Sequence, residues 1–388
     1  MHPSATAKTD SPADHSSTRV IVGLSGGVDS SVAAYLLQQQ GYAVQGLFMK
    51  NWDEDDGTEY CTAIADLEDA QATCDLLGIP LHCANFAAEY WDNVFEHFLE
   101  EYQRLRTPNP DILCNREIKF RQFVNYARSL GADYIATGHY ARRNDGGAGV
   151  VVSKARDTSK DQTYFLQAVP QQQLQKCLFP LGDWLKSDVR KLAHELGLSN
   201  HRKKDSTGIC FIGERRFADF LGTYIKDQPG PITDAQGRRL GEHQGLHYYT
   251  IGQRQGLNIG GKAGRSESPW YVAAKHPTGN RLEITQDETT LTSTWLHAVD
   301  VNWLQDVRLP LQCSAKVRYR QEDQQCHVQQ ACGGKLLVRF NQPQRAVAEG
   351  QYIAFYQGEQ LLGGGCIDLC QRTFTSQRPL EPRAYVAI

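Results

Sequence analysis

The sequence predicts an α/β protein: a doubly wound parallel sheet, then a small β-rich central domain, then a C-terminal β-barrel. Three observations carry that expectation. From Arg19 to about Leu198, apolar runs of strand length alternate with segments of helical period, the pattern of a parallel sheet with helices on both faces. Near residue 216 the helical periods stop, and Gly230-Pro231-Ile232, Gly237 and Gly241 punctuate short strand candidates. From about residue 291 the chain reads as alternating strands and turns alone. A chain of 388 residues suits two to three domains. Boundaries are expected at 19–216, 217–290 and 291–388, after a disordered tail at 1–18.

The tail is Ser, Thr, Ala, Pro and Asp with little else. It lacks an apolar signal core, and it is too acidic and too poor in Arg for a typical transit peptide. Val20 to Leu24 is a buried strand. Ser25-Gly26-Gly27-Val28-Asp29-Ser30-Ser31 follows as a loop, and Val32 to Leu37 as a helix. Ala43 to Met49 is a strand. Thr62 to Leu77 places Ile64, Leu67, Ala70, Cys74 and Leu77 at helical spacing. Pro80 to Phe86 is a further strand, and Tyr90 to Leu105 a helix with Trp91, Val94, Phe95, Phe98 and Tyr102 on one face. Thr107 to Asn115, with two prolines and an Asn/Asp pair, reads as a rigid loop rather than a helix. Ile118 to Leu130 is a helix ended by Gly131, and Tyr134 to Thr137 a short strand entering Gly138-His139. Ligands of such sheets sit beyond the carboxyl ends of the strands, where the 25–31 loop, Met49 and Gly138-His139 all lie. Farther on, Tyr248–Gly256, Trp270–Ala274 and Arg281–Thr285 are strand candidates. Gln312–Tyr319, Lys335–Phe340 and Gln351–Tyr356 alternate in and out, with turns at Gly333-Gly334, Pro343 and Gly358. A small barrel or sandwich fits them.

Composition narrows the function. With 40% hydrophobic and 22% charged residues and a net charge of −3, the chain is that of a soluble globular protein without a global nucleic-acid signature. RNA contact therefore needs local patches such as Arg202-Lys203-Lys204 or Arg318-Tyr319-Arg320, and charge alone makes each a solvated face. No apolar run approaches the ~18 residues of a membrane span. Eleven cysteines, an odd count without secretory features, suit a reducing cytoplasm. No C-x-x-C occurs; Cys366 and Cys370 make a weak C-x-x-x-C, and Cys61, Cys74 and Cys83 read as core thiols. A structural zinc site is not expected.

The chemistry begins at Ser25–Ser31. A glycine pair between strand and helix brings backbone close to a ligand, and the N–H groups of the first helical turn point at an anion. The loop lacks the Lys of the G-x-x-x-x-G-K-[ST] pattern and is not G-x-G-x-x-G. Ser25, Ser30 and Ser31 can donate to phosphate oxygens. Asp29 must act through a magnesium ion or by organising the loop. Two cysteines stand apart from the core set. Cys114 precedes Arg116, Lys119 and Arg121 beside an expected helix start, where a thiolate is favoured; the bland reading is a small buried hydrophobe. Cys210 lies between glycines in Asp205-Ser206-Thr207-Gly208-Ile209-Cys210-Phe211-Ile212-Gly213, after the basic His201–Lys204.

Ser25–Ser30 resembles the pyrophosphate loop (PP-loop) of the N-type ATP pyrophosphatases, which adenylate an oxygen of the substrate. N-P-D-x-x-C-N-x-x-I-K-F at 109–120, T-G-H-Y-A-R at 137–142, K-D-Q-T-Y-F-L at 160–166, G-I-C-F-I-G at 208–213 and R-A-V-A-E-G-Q at 345–351 resemble the bacterial tRNA-specific 2-thiouridylases. The likeness runs from about residue 19 to the end, with Glu349 standing where Pro is expected. The resemblance implies a PP-loop ATP pyrophosphatase-like catalytic domain. It also implies ATP-dependent adenylation of the C2 oxygen of the wobble uridine in tRNAs for Lys, Glu and Gln, then sulfur transfer from a cysteine persulfide. ATP would bind at Gly23, Leu24, Ser25, Gly26, Gly27, Val28, Asp29, Ser30, Met49 and Gly138, with Mg2+. Cys210 would carry the persulfide, and Cys114 would be its partner in a transient disulfide. Asn109, Pro110 and Asp111 would border the flipped base. His139, Lys160, Asp161, Gln162, Arg318, Tyr319 and Gln351 would contact tRNA. By spacing alone His139 is a core residue and Lys160–Gln162 a surface turn. A sulfur-relay protein or cysteine desulfurase would supply the sulfur.

Two other classes compete. An amide-forming PP-loop ligase needs an ammonia source, and no glutaminase feature is visible. A non-catalytic RNA-binding adaptor does not need the intact loop and both cysteines. Within the thiouridylase reading, Asp111, Cys114 and Cys210 could instead hold an iron–sulfur cluster, which the lack of C-x-x-C disfavours.

Overall fold

Five strands form one parallel sheet in the order β3-β2-β1-β4-β7. They are β1 (Arg19–Gly23), β2 (Ala43–Lys50), β3 (Leu81–Asn85), β4 (Tyr134–Ala136) and, beyond a hairpin of β5 (Ala141–Gly146) and β6 (Gly149–Lys154), β7 (Cys177–Leu178). The computed structural model describes residues 15–53, 63–146, 149–205, 217–259 and 268–371. Val20, Ile21 and Val22 are wholly buried, which is why β1 reads as a continuous apolar run. Its alternate residues enter two cores. Val20, Val22 and Leu24 meet Ala34 and Leu37 of helix α1 (Val28–Gln39) and Ala70 and Cys74 of helix α2 (Ala63–Leu77). Ile21 faces Phe120, Phe123 and Ala127 on the other side. The sheet is therefore doubly wound, and strand order turns between β1 and β4, where ligands bind in such folds.

Two helical runs cover the second face, 87–103 and 110–129, each containing a π-helical stretch, Trp91–Phe95 and Cys114–Gln122. The second run corrects the expectation of a loop at 107–115: the helix opens at Pro110. Asn109 caps it by accepting from the Asp111 N–H at 3.2 Å. Pro at the first helical position after an Asn cap is a start signal.

The central sheet has the order β10-β11-β8-β9, from β8 (Gly230–Thr233), β9 (Arg239–His243), β10 (Tyr271–His276) and β11 (Arg281–Thr285). Tyr248–Gly256, expected as a strand, instead follows a 3-10 turn at Leu246–Tyr248 as a turn-rich segment. The last unit is a six-stranded barrel. Its strands are β12 (Thr292–Trp303), β13 (Leu311–Lys316), β14 (Gln324–Gln330), β15 (Leu336–Arg345), β16 (Tyr352–Gln357) and β17 (Gln360–Cys370). It closes because β17 pairs with β12, which leaves no open edge.

The hairpin β5–β6 reaches across from the first unit, with Ser153 opposite Gln360 of β17. One core cluster accordingly spans both units, joining Ile21, Phe120 and Tyr164 to Tyr352, Ala354, Tyr356 and Leu361 of the barrel. Among the described residues no helix is long and apolar enough to cross a membrane.

Candidate active site at the carboxyl edge of the parallel sheet

The segment after β1 is shaped by contacts that exclude larger residues. Gly26 has φ +69°, and a Cβ there would lie 2.5 Å from the Asp66 carbonyl oxygen; the loop rests directly on the first turns of α2. A Cβ on Gly138 would lie 2.8 Å from the Ser30 nitrogen, so the chain leaving β4 is packed on the first turn of α1. A Cβ on Gly23 would meet Phe123 at 3.0 Å and the Met49 methyl at 3.3 Å. Leu24 and Val28 are buried and pin the loop from below. Gly23–Ser30, Met49 and Gly138 therefore form one wall around the α1 N-terminus, a site suited to an anion.

The serines divide. Ser25 is exposed, and its N–H donates to Ser30 Oγ at 3.2 Å while Ser30 Oγ donates to the Gly27 carbonyl at 3.0 Å. Ser31 corrects its expected role as a phosphate donor. It is 1% exposed, donates to the Gly27 carbonyl at 3.1 Å, accepts from Asn200 Nδ2 at 3.0 Å and meets Thr73 Oγ1 at 2.9 Å.

Asp29 is held in place by partners that sequence reasoning missed. Lys186 Nζ lies 2.7 Å from both of its oxygens, and Tyr140 OH donates to Oδ1 at 2.9 Å. Lys186 also reaches Asp205 Oδ1 at 2.8 Å. Asp205 further takes Lys160 at 2.7 Å and Arg190 at 2.6 Å. Burial pushes the Asp205 carboxyl up, but hydrogen bonds from Lys160 and Lys186 outweigh it and hold it well below the usual range. Asp29 and Asp205 are thus paired by three cations, Lys186, Lys160 and Arg190, with Asp157 close by on the Lys186 N–H. As found, Asp29 organises the loop, and a magnesium ion would have to displace Lys186 to use it; ions riding on nucleotide oxygens need no such exchange. Of the basic run 202–204, Lys203 is an internal strut: its Nζ lies 2.7 Å from Asp66 and Asp69 and 3.3 Å from the Gly26 carbonyl.

The helical run 110–129 abuts this wall through Phe123. Pro110 is buried; burial raises the Asp111 carboxyl, with Lys119 opposing. Cys114 is not at the helix start, as expected, but one turn inside it and 1% exposed, among Leu113, Ile118, Phe95 and Phe220. Its neighbour Asn115, also buried, donates to the Phe165 carbonyl at 3.3 Å. Lys160–Gln162 precede Phe165. Asp161 accepts from the Ala155 N–H at 3.1 Å and Thr163 Oγ1 at 2.9 Å, and Gln162 Oε1 accepts from the Tyr140 N–H at 2.9 Å. From the barrel, Tyr319 packs on Phe165 with ring centroids 4.5 Å apart, Arg318 donates to the Ala346 carbonyl at 2.6 Å, and Gln351 donates to the Thr107 carbonyl at 2.8 Å. His139 is buried with Nδ1 2.9 Å from Thr137 Oγ1; burial, then Lys119, pushes its pKa down to about 3. Gln351 and, through Phe165, Tyr319 bring the barrel against the start of the Cys114 helix, whereas His139 lies beside Phe120 farther along it and Lys160 is held on Asp205. Cys210 lies outside the described residues, as does the segment after Asp205. Among the described residues no three His, Cys, Asp or Glu side chains are grouped to hold a metal.

Three family models match in sequence. A tRNA methyl transferase HUP domain covers residues 18–214, a tRNA methyl transferase PRC-barrel domain 218–286, and an aminomethyltransferase beta-barrel domain 293–367. The chain is 58% identical to the tRNA-specific 2-thiouridylase MnmA of Hahella chejuensis, over 91% of this chain and 98% of that protein. It is 57% identical to the protein of that name from Pseudomonas putida strain GB-1, over 96% of this chain and 98% of that one. With this identity over nearly the full length of both relatives, the chain belongs to the tRNA-specific 2-thiouridylase family.

Proposed function

We propose that this chain is a tRNA-uridine 2-sulfurtransferase that adenylates the C2 oxygen of the wobble uridine and replaces it with sulfur. The observation that carries the reading is the anion wall Gly23–Ser30, Met49 and Gly138 set against the helix that opens at Asn109–Asp111 and holds Cys114 one turn in. The C2 oxygen of uridine is a poor leaving group. Its attack on the ATP α-phosphate expels pyrophosphate, and the adenylated oxygen then leaves as AMP. Phosphate negative charge is met by the α1 N-terminus and the exposed Ser25 hydroxyl, while Ser30, donating to the Gly27 carbonyl, holds the loop in shape. Mg2+ is assigned to the nucleotide.

Cys210 carries the incoming persulfide. Its terminal sulfur bonds to C2 as Cys114 attacks the Cys210 sulfur, forming a Cys114–Cys210 disulfide that a thiol reductant resets. Asn109, Pro110 and Asp111 border the flipped base, and His139, Lys160, Asp161, Gln162, Arg318, Tyr319 and Gln351 form the tRNA-facing set. His139, Asp161 and Gln162 use their side chains internally, so their part is to shape the segments that meet RNA. Residues 19–216 are the catalytic domain, and 217–290 and 291–388 are tRNA-grasping modules, so local contacts suffice despite the net charge of −3. The substrates are tRNAs for Lys, Glu and Gln, the sulfur source is a relay protein or cysteine desulfurase, and the setting is the cytoplasm. Methyl transfer, named in two of the matching family descriptions, requires neither a pyrophosphate loop nor a thiol relay.

The test supplies ATP, unmodified tRNA and a persulfide donor, and follows pyrophosphate and thiolated tRNA. Cys114→Ser and Cys210→Ser are each expected to abolish thiolation in folded protein. Near-normal thiolation by either variant overturns the two-cysteine relay; no pyrophosphate with tRNA bound overturns adenylation.

A further inference from the structure

The Cys114 helix is preceded by a short strap, 105–108, on which all three units of the fold converge. Leu105 has φ +61°, a conformation bulky residues avoid unless surrounding contacts impose it. Its carbonyl accepts from Lys275 Nζ of the central unit at 2.8 Å. Arg106 crosses to the barrel: its guanidinium lies 3.3 Å from Asp368 Oδ1 and donates to the Ile367 carbonyl at 3.0 Å. Its Nε lies 2.8 Å from Glu101 Oε2 in its own unit. Thr107 touches both outer units, with its N–H donating to the Glu349 carbonyl at 2.8 Å and its hydroxyl 3.3 Å from Thr250 Oγ1. A Cβ on Gly350 would lie 3.0 Å from the Thr107 nitrogen, so strap and barrel are in direct backbone contact. Asn109, the helix cap, comes next in sequence.

We propose that Arg106 is a positioning residue for sulfur transfer: by locking the strap to the barrel while Lys275 and Thr250 lock it to the central unit, it fixes the helix that carries Cys114. The site on the parallel-sheet unit is then incomplete without its two partners, and tRNA engaged by them is registered against Cys114. Fixed placement matters here because the sulfur must meet C2 within bonding reach, and a shift of about 1 Å can cost on the order of 100-fold in rate.

The inference rests on the thiouridylase reading, and the full chain tests both. Steady-state thiolation is measured for the unaltered chain, Arg106→Met, Arg106→Lys, Lys275→Met and Thr250→Val, alongside ATP and tRNA affinity. Arg106→Met is expected to lower kcat on the order of 10- to 100-fold with both affinities unchanged. Arg106→Lys recovers part of the loss because one ammonium can still reach a carboxylate. A loss confined to tRNA affinity, or no loss in kcat, overturns the proposal. If Arg106→Met does not fold, Lys275→Met and Thr250→Val decide: lowered kcat at unchanged affinity supports it, and normal kcat in both overturns it. No thiolation by the unaltered chain overturns the function reading and this inference together.

Discussion

Lys186 shows what single residues do in this site. It is 7% exposed, and an ammonium is buried only where it is paired. Asp29 and Asp205 pair it, and so a carboxylate that would repel phosphate becomes part of a neutralised frame. Lys186→Met removes the bridge and leaves Asp29 with the Tyr140 hydroxyl beside the anion site, while Asp205 keeps Lys160 and Arg190. Since those carboxylates keep partial contact with water, the expected loss is roughly 1–3 kcal/mol of unfolding free energy, measured by urea denaturation without nucleotide, together with weakened ATP binding. His139 makes a second prediction. Its folded pKa of about 3 lies below the ordinary 6.5, so as pH falls the unfolded chain takes the proton first. Its share of stability is complete above about 6.5 and is lost on the way down to about 3. His139→Gln should flatten stability against pH in that window by up to about one proton; an unchanged slope refutes the assignment.

At the scale of elements, the start of the helical run 110–129 decides where Cys114 stands. The prolines of Thr107–Asn115 suggest a loop, but Asn109-Pro110 is a cap followed by a first-turn proline, and the helix begins one turn ahead of Cys114. Asn109→Ala should cost about 0.5–2 kcal/mol, and Asn109→Ser should restore most of it, read by urea unfolding. If Asn109→Ser is stable yet thiolates poorly, the Asn amide has a separate role at the base. The hairpin β5–β6 shows why some elements were hidden. Its first strand, Ala141-Arg142-Arg143-Asn144-Asp145-Gly146, is polar because it lies toward solvent, and only β6 carries the buried Val150 and Val152. β17 was obscured by Gly363-Gly364-Gly365, residues that strands usually avoid but that close packing requires here.

At the scale of the whole molecule, the parallel-sheet unit and the barrel share one apolar core through Tyr352, Ala354, Tyr356 and Leu361. Cutting the chain near residue 291 would expose that core. Calorimetry of the full chain is therefore expected to show the two units unfolding in one transition, and the fragment ending near 290 is expected to lose cooperative folding. Two well-separated transitions assigned to these units would contradict the shared core.

The sequence by itself determined the alternating α/β unit, the anion loop at 25–31, its resemblance to the thiouridylases and the strand periods of the barrel. Each is written in neighbours a few residues apart, as runs, caps and spacings. The tertiary structure alone decided that Ser31 faces inward, that Lys203 is tied to Asp66 and Asp69, that Lys186 neutralises Asp29, that Cys114 sits inside a helix, and that strap 105–108 joins three units. Those outcomes depend on pairs separated by up to more than two hundred positions, such as Arg106 with Asp368. Burial and charge pairing at such separations exist only once the chain has closed on itself.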